Sequence, residues 1–379
     1  MTDKIAADLL VYGPCSNAGD VLIHQTFNAL FRDEIDTHYR HIRADKLMCP
    51  TGRVVIGPGG LLSGAYRPDS SPDELVVRHL TDKTLSAWQK AKKKIVAFGT
   101  GTNTPFDAGK NAKPFSAQSE KNIAKLAALS SRLYLRGSRD ILRLSSLCNS
   151  EDMDKFVFQP CPSIFLDRLF GIKPIVSDKV AVNFPLNTSI TKENVAKHPL
   201  KRFKEFANAQ GLTVVFMDNH PMDINPYVFE LCDETTHDAE GLALISAEGF
   251  GALPEHNKKF EDVWMGTSSL PARFNGFRFA FGTRLHSFLP FMAFNTPTLF
   301  LSPNEIRRPM GQEYFQHAAF SAATPWANGS AAKVVDGMID RMKYFMANEE
   351  RLRFHIHEQR ERLWTITLKN KRDMLDRLN

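Results

Sequence analysis

Cysteine is scarce in this 379-residue chain, and its placement argues against two common structural roles. The five cysteines are scattered, odd in number and free of CxxC spacing. A disulfide framework or a zinc knuckle needs paired or closely spaced cysteines, so neither is expected. This cysteine usage favours a reducing compartment.

Targeting and membrane-spanning patterns are also missing. Residues 1–5 lack the basic-then-apolar layout of a signal peptide. The most apolar later run, 288–301, is interrupted by Pro290, Asn295 and Pro297, which makes a transmembrane helix improbable. We therefore expect a soluble cytoplasmic protein without an integral membrane segment.

Nucleotide and nucleic-acid signatures are absent as well. No glycine loop continues into Gly-Lys-Ser/Thr, and none spells GxGxxG. The 48 Lys plus Arg exceed the 42 Asp plus Glu, which gives a net charge of +6 and favours anionic ligands. No basic stripe with interleaved aromatics accompanies that charge, so nucleic acid is not an expected partner.

Metal-binding patterns are weak. The sequence Asp152-Met153-Asp154 resembles the DxD of some sugar-nucleotide enzymes, but it precedes a predicted strand rather than following one. His355 and His357 are two residues apart on a predicted helix and so point to different faces. We expect a solvated turn at 152–154 and no metal site.

What the chain does contain is a regular alternation of β-like and helix-like runs, which predicts parallel, doubly wound sheets. The predicted strands are 9–12, 54–56, 95–98, 133–135, 156–158, 180–182, 212–216, 277–281 and 298–301. Helices are predicted after Asp20, which would be the N-cap, near 73–92, 117–129, 138–147, 199–210 and 284–294, and from about 331 to 379.

The chain is longer than one hydrophobic core usually supports, so two domains are expected. The alternation pauses at 167–177 and then restarts. We place an N-terminal Rossmann-like domain at 1–172, a second Rossmann-like domain at 173–345, and a C-terminal helix at 346–379.

Open parallel sheets bind ligands beyond the carboxyl ends of their strands, and the loops that follow four predicted strands are unusual. Three of them, 13–20, 57–60 and 99–105, are rich in glycine. The fourth, 282–286, brings Arg284 and His286 to a predicted helix start. Unpaired N–H groups, a guanidinium and a titratable imidazole at one place suit a phosphate or carboxylate. Surface salt bridges are the alternative for these two side chains.

Several of these segments together resemble the polysaccharide pyruvyl transferase family. They are Asn17-Ala18-Gly19-Asp20, Gly57-Pro58-Gly59-Gly60, Gly99-Thr100-Gly101, Leu135-Arg136-Gly137 and Gly282-Thr283-Arg284-Leu285-His286. The resemblance extends in patches from about residue 9 to 310, and 284–286 with the later 295–297 is its most specific part. Relatives usually carry Met at Thr283 and Gly at Pro58, and often Ser or Thr at Asp140.

The resemblance implies two Rossmann-like α/β domains of glycosyltransferase-B type, with a cleft between them, the donor site in the domain at 173–345, and a helical C-terminus. It also implies transfer of pyruvate from phosphoenolpyruvate to hydroxyls of a saccharide or glycan precursor, which forms a ketal and releases phosphate without a cofactor. His286 is then the candidate general acid or base, with Asp20 as its carboxylate partner. The expected substrate-binding residues are Arg284, Arg136, Leu285, Asn17, Gly19, Gly59, Gly60, Gly99, Gly101 and Glu305.

Other interpretations stay open at this point. Arg136 could instead pair with Asp140 one helical turn away, Asp20 could be only a cap, and Glu305 could be only a surface residue. The glycines could make turns alone. The chain could also be a nucleotide-sugar glycosyltransferase of the same architecture or a non-catalytic relative, and a homo-oligomer is compatible with the sequence.

Overall fold

Two parallel β-sheets organise the protein. The computed structural model describes residues 4–11, 18–41, 49–62, 80–102, 115–183, 190–217, 226–235, 270–301, 310–321 and 331–379. Among these residues every strand pairing is parallel. The predicted fold class, α/β with two doubly wound sheets, is confirmed.

The first sheet has six strands in the order β2-β1-β3-β4-β5-β6. Its strands are β1 (Ile5–Val11), β2 (Ile35–His41), β3 (Arg53–Ile56), β4 (Lys94–Thr100), β5 (Arg132–Leu135) and β6 (Phe156–Phe158). The strand order reverses between β1 and β3, so the topological switch point of this sheet lies at the carboxyl ends of those two strands.

The second sheet has five strands in the order β11-β10-β7-β8-β9. Its strands are β7 (Lys179–Asn183), β8 (Thr213–Phe216), β9 (Glu234–Thr235), β10 (Phe279–Gly282) and β11 (Thr298–Phe300). Here the order reverses between β7 and β10, which places the second switch point directly before Arg284 and His286.

The described α-helices connect and cover these strands. They are α1 (Ala18–Phe31), α2 (Asp82–Lys90), α3 (Ala117–Leu129), α4 (Ser138–Ser145), α5 (Leu166–Phe170), α6 (Leu200–Ala209), α7 (Leu289–Met292), α8 (Met310–Phe315), α9 (Ala331–Ala347) and α10 (Glu349–Leu378). No helix in the described parts of the chain is long and apolar enough to cross a membrane.

Two helix predictions near the candidate site need correction. The helix predicted over 284–294 consists of a 3₁₀ helix, Leu285–Ser287, followed by the four-residue α7. Phe288, at φ −122° and ψ −61°, separates them, and Pro290 lies in the first turn of α7. Asp20 is also not the N-cap of α1, because the helix already includes Ala18 and Asp20 lies in its first turn.

Two strands, β2 and β9, were not predicted from the sequence. The strand β2 carries only Ile35 and Tyr39 as buried apolar residues, and polar side chains separate them, as is typical of an edge strand with one covered face. The strand β9 has two residues, too few for a periodic pattern.

The long helix α10 contacts both sheets. Near its start, Arg353 donates hydrogen bonds to the carbonyls of Arg278 and Asn295, which precede β10 and β11. Near its end, Asn370 donates to the carbonyl of Phe158, and Arg377 donates to that of Ser131. Two lobes joined by a returning C-terminal helix are the glycosyltransferase-B-like arrangement that the resemblance implies. The domain limits chosen from the sequence remain predictions.

Candidate functional site

The two switch points meet where α1 begins. A Cβ atom built on Gly19 would lie 2.7 Å from Cβ of His286 and 3.0 Å from its Nδ1. The first turn of α1, which follows β1, therefore touches the histidine that follows β10. A 14-residue helix presents its N-terminal N–H groups and partial positive charge there.

Cys161 borders the imidazole of His286 on its Nε2 side. Its Sγ lies 3.8 Å from Nε2 of His286 and 3.2 Å from Oγ of Ser163. Cys161 follows β6 of the first sheet, whereas His286 belongs to the second. Burial raises the pKa of the Cys161 thiol, so this group is a neutral S–H rather than a thiolate at neutral pH.

Tyr314 of α8 links two strand-end segments of the first sheet. Its hydroxyl donates to the carbonyl of Arg136 over 2.6 Å and accepts the N–H of Cys161 over 3.0 Å. Burial raises the pKa of Tyr314 well above its ordinary value, so the hydroxyl keeps the proton that it donates. The segments after β5 and β6 are thereby held at one point beside His286.

Arg136 is buried and faces an acid. Its side chain is 2% exposed, its Nε lies 3.9 Å from Oδ2 of Asp140, and its Nη2 donates to the carbonyl of Thr102 over 3.1 Å. Asp140 also accepts the N–H and hydroxyl of Thr102 at 2.7 and 2.9 Å. A Cβ on Gly101 would lie 2.4 Å from Nε of Arg136, so glycine allows this close approach. The ion pair weighed from the sequence is thus present, and a ligand role for Arg136 stays a prediction.

A carboxylate from α8 covers the start of α4. Oε1 of Glu313 accepts the N–H of Ser138 over 2.7 Å. Burial raises the pKa of Glu313, and the hydrogen bond from Ser138 opposes that shift. Met310 of the same helix lies so close to Gly137 that a Cβ there would approach its Cε to 2.9 Å. The helix α8 therefore docks against the segment that carries Arg136.

The glycine loops after β3 and β4 are paired with each other. Gly59 N–H donates to the carbonyl of Gly99 over 3.2 Å, and Gly101 N–H donates to that of Gly59 over 2.8 Å. Gly59 and Gly99 have φ of +122° and +66°, values that favour glycine. These two N–H groups already have backbone acceptors, so a ligand role for Gly59 or Gly101 would depend on close backbone approach.

The remaining predicted site residues differ in exposure. Arg284, two residues before His286 in the chain, is half-buried. Asp20, in the first turn of α1, is also half-buried, whereas Leu285 is 2% exposed and belongs to the core. Gly60 is half-buried. Asn17 and Glu305 lie outside the described residues. The structure therefore brings Gly19 against His286. Asp20 and Arg284 are close to these two residues along the chain, and Arg136 is connected to His286 through Tyr314 and Cys161.

Two residues that the sequence analysis excluded as metal ligands, Asp152 and His355, contact other residues of the chain. Asp152 forms a 2.8 Å ion pair with Lys155, and a nitrogen of His355 lies 2.6 Å from the carbonyl oxygen of Phe315. The period-two phenylalanines of 274–281 are buried, as expected for core residues. Within the described ranges, no three His, Cys, Asp or Glu side chains are grouped to hold a metal ion.

Sequence reasoning missed Cys161, Glu313 and Tyr314. Cys161 could have been found, because it closely follows a predicted strand and strand ends were the places to search. Glu313 and Tyr314 belong to a short helix with no motif, and only the tertiary structure brings them to the site.

Two Rossmann-like sheets whose switch points meet at a histidine and a helix start form the framework of a two-lobed α/β protein. The chain belongs to the polysaccharide pyruvyl transferase family, whose model matches residues 17–305. It is therefore a polysaccharide-modifying transferase, and the predicted family is confirmed.

Two of the solved structures with a similar fold contain UDP or UDP-GlcNAc. S. aureus MnaA, solved with UDP, is 12% identical, with 92% of this chain and 90% of that chain covered and a TM-score of 0.43. UDP-GlcNAc 2-epimerase from Neisseria meningitidis, bound to UDP-GlcNAc, is 9% identical, with 93% and 94% covered and a TM-score of 0.43. Likenesses this low define neither a reaction nor a ligand for this chain. No curated protein sequence matches it.

Proposed function

We propose that this protein transfers the pyruvyl group of phosphoenolpyruvate to hydroxyls of a saccharide acceptor. The single observation that carries the proposal is the contact between the first turn of α1 and His286 at the two switch points. Family membership supports the reaction class, and the geometry supports this location for it.

The donor carries a carboxylate and a phosphate on one small carbon frame, so its site needs clustered positive charge. The helix start of α1 and the half-buried Arg284 supply it from the two lobes. Arg136, which is connected to His286 through Tyr314 and Cys161, adds charge that Asp140 partly balances. Asp20 is the carboxylate nearest along the chain to the α1 start and is assigned as the partner for proton transfer.

His286 is assigned as the general acid. It gives a proton to the methylene carbon of phosphoenolpyruvate, which becomes a methyl group, and the neighbouring carbon becomes electrophilic. A saccharide hydroxyl forms a bond to that carbon and loses its proton to a base. A second hydroxyl then forms a bond to the same carbon, while the bond between that carbon and the bridging oxygen of the phosphate breaks. The second hydroxyl gives up its proton to the departing phosphate, which leaves the pyruvate ketal and inorganic phosphate.

The direct test incubates the purified protein with phosphoenolpyruvate and a panel of galactose- and mannose-containing acceptors. Release of inorganic phosphate, with a matching gain of one pyruvyl group in the acceptor mass, is expected. Turnover only with a nucleotide sugar would overturn the donor and favour a glycosyltransferase. Activity with neither donor across the panel would favour a non-catalytic relative.

Variants assign the residues. His286→Asn should lower turnover by about 10²–10⁴-fold, the usual contribution of general acid–base catalysis. His357→Asn is the matched control, because that histidine is 51% exposed on α10. Unchanged turnover in His286→Asn would remove the proposed acid.

Donor binding has its own test. At about 100 times its dissociation constant, phosphoenolpyruvate should stabilise the wild type against urea by ~2.7 kcal/mol. Arg284→Ala should lose most of this gain, whereas Arg372→Ala, on the exposed surface of α10, should keep it. Equal stabilisation of both variants would exclude Arg284 from the donor site.

A further inference from the structure

The candidate histidine belongs to the second sheet, but segments of the first sheet border both ring nitrogens. Gly19 lies on the Nδ1 side, since a Cβ there would be 3.0 Å from that nitrogen. The Cys161 thiol lies 3.8 Å from Nε2. The orientation of the ring therefore depends on where the first sheet places these two residues.

Cys161 is held firmly. Pro160 and Pro162 flank it and restrict the backbone on both sides. Its side chain is 2% exposed and contacts the Ser163 hydroxyl, and its N–H donates to Oη of Tyr314 over 3.0 Å. A thiol held in this way can orient a neighbouring ring, whereas its burial does not suit attack on a substrate.

Tyr314 explains how this placement is kept. One buried hydroxyl accepts from Cys161 and donates to the carbonyl of Arg136 over 2.6 Å. Removing that oxygen would leave the buried N–H of Cys161 and the carbonyl of Arg136 without this hydrogen-bond partner. Because an unsatisfied buried polar group is costly, we expect both backbone segments to shift. A shift of Cys161 would change the position of its Sγ relative to Nε2 of His286 and so the orientation of the ring.

The geometry points to Cys161 and Tyr314 as positioning residues for His286: Tyr314 fixes the Cys161 backbone, and the Cys161 thiol sets the orientation of the imidazole. The thiol acts as a weak donor to an unprotonated Nε2 or as a weak acceptor from a protonated one. This inference rests on the proposed function where it concerns turnover, and on the contacts alone where it concerns the ring.

The experiment compares Cys161→Ala and Tyr314→Phe with the matched control Tyr134→Phe. Tyr134 is also fully buried in the first lobe, and its hydroxyl donates to Asp373 over 2.6 Å, but this contact is with α10 and not with the site. The readouts are the ¹⁵N chemical shifts of the His286 imidazole, assigned with His286→Asn, and the separate values of kcat and KM.

Both site variants should change the His286 ¹⁵N shifts and lower kcat by about 10–100-fold, because a catalytic group misplaced by about 1 Å can cost about 10²-fold. KM for the donor should change by less than about threefold. Tyr134→Phe should leave the shifts and kcat unchanged. Cys161→Ser, which keeps a donor and acceptor, should recover part of the kcat lost in Cys161→Ala.

Unchanged ¹⁵N shifts in a folded Cys161→Ala protein would overturn the inference. So would equal changes in the Tyr134→Phe control. If the wild type does not consume phosphoenolpyruvate, the proposed function fails, but the imidazole shifts still decide whether Cys161 and Tyr314 position the ring. If Tyr314→Phe does not fold, the comparison of Cys161→Ala with Cys161→Ser still decides the role of the thiol.

Discussion

Gly19 of the first lobe packs directly against the candidate histidine of the second. The space that a methyl group would need is already taken by His286, at 2.7 Å from its Cβ. Since the helix start and the imidazole are proposed to act on the same donor, a larger residue at position 19 would displace the imidazole from that donor.

Gly19→Ala should therefore lower turnover by about 10²-fold, the loss expected when a catalytic group moves by about 1 Å. The control is Gly52→Ala, because an added Cβ at Gly52 meets no atom within 4 Å. Steady-state kinetics of the two variants, with circular dichroism to confirm folding, checks this prediction. Equal turnover of Gly19→Ala and Gly52→Ala would contradict it.

Glu313 predicts a pH dependence of stability. Burial raises its pKa above the ordinary 4.5, so the ionised carboxylate is a net cost to the folded state. This cost is present above the folded pKa, falls as pH drops through it, and is gone below the unfolded value.

Glu313→Gln keeps an oxygen for the N–H of Ser138 and removes the charge. The variant should be more stable than wild type at about pH 7, and the difference should shrink as pH falls to about 4. Urea unfolding of both proteins across this range measures the difference. If the difference in unfolding free energy grew as the pH fell, the pKa of Glu313 would be lowered in the folded state, contrary to this prediction.

At the scale of elements, α10 makes two ion pairs with α5 that differ in burial. Arg360, whose side chain is 1% exposed, pairs with Asp167 and also donates to the carbonyl of Ile164 and to Oδ1 of Asn295. Arg168 pairs with Glu361, and their side chains are 25% and 48% exposed. The same two helices thus offer a buried pair and an exposed one.

Asp167→Ala should destabilise the protein by about 3–5 kcal/mol, because it leaves a buried guanidinium without its acid. Glu361→Ala should cost about 0–1 kcal/mol, since water screens an exposed pair. Chemical denaturation of each variant gives both values. Similar losses of unfolding free energy in the two variants would mean that burial does not determine how much each ion pair stabilises the protein.

Strand and helix predictions succeeded where the pattern was local. The helix predicted at 117–129 has those bounds, and the predicted strands at 133–135 and 156–158 lie within or equal β5 and β6. The helix after β10 was predicted too long, because an apolar run with helical spacing does not reveal that Phe288 leaves the helical conformation. The edge strand β2 had too few apolar residues to stand out.

At the scale of the whole molecule, the lobes share one core. A continuous cluster of buried side chains includes Val96 and Tyr134 of the first sheet and Val182 and Phe281 of the second. The helix α10, with 30 residues and hence a length of about 45 Å, contacts both lobes. Neither lobe can expose its inner face without disturbing the other.

We therefore expect one cooperative thermal transition, although a chain of two independent domains would show two. Differential scanning calorimetry checks this through the ratio of van't Hoff to calorimetric enthalpy, which should be close to one. Two resolved transitions would contradict the shared core. The single transition should also appear without any ligand, since the contacts that cause it are internal.

The amino-acid sequence alone determined the fold class, the order of most strands and helices, and the family, because alternating apolar periodicity and glycine-rich strand ends are local features of a chain. It also singled out 284–286 as the loop of greatest interest. Only the tertiary structure decided that Gly19 meets His286, that Arg136 is buried against Asp140, and that Cys161 and Tyr314 support the site. Those contacts join residues far apart in the chain, and their formation depends on how two sheets pack, which no local pattern encodes.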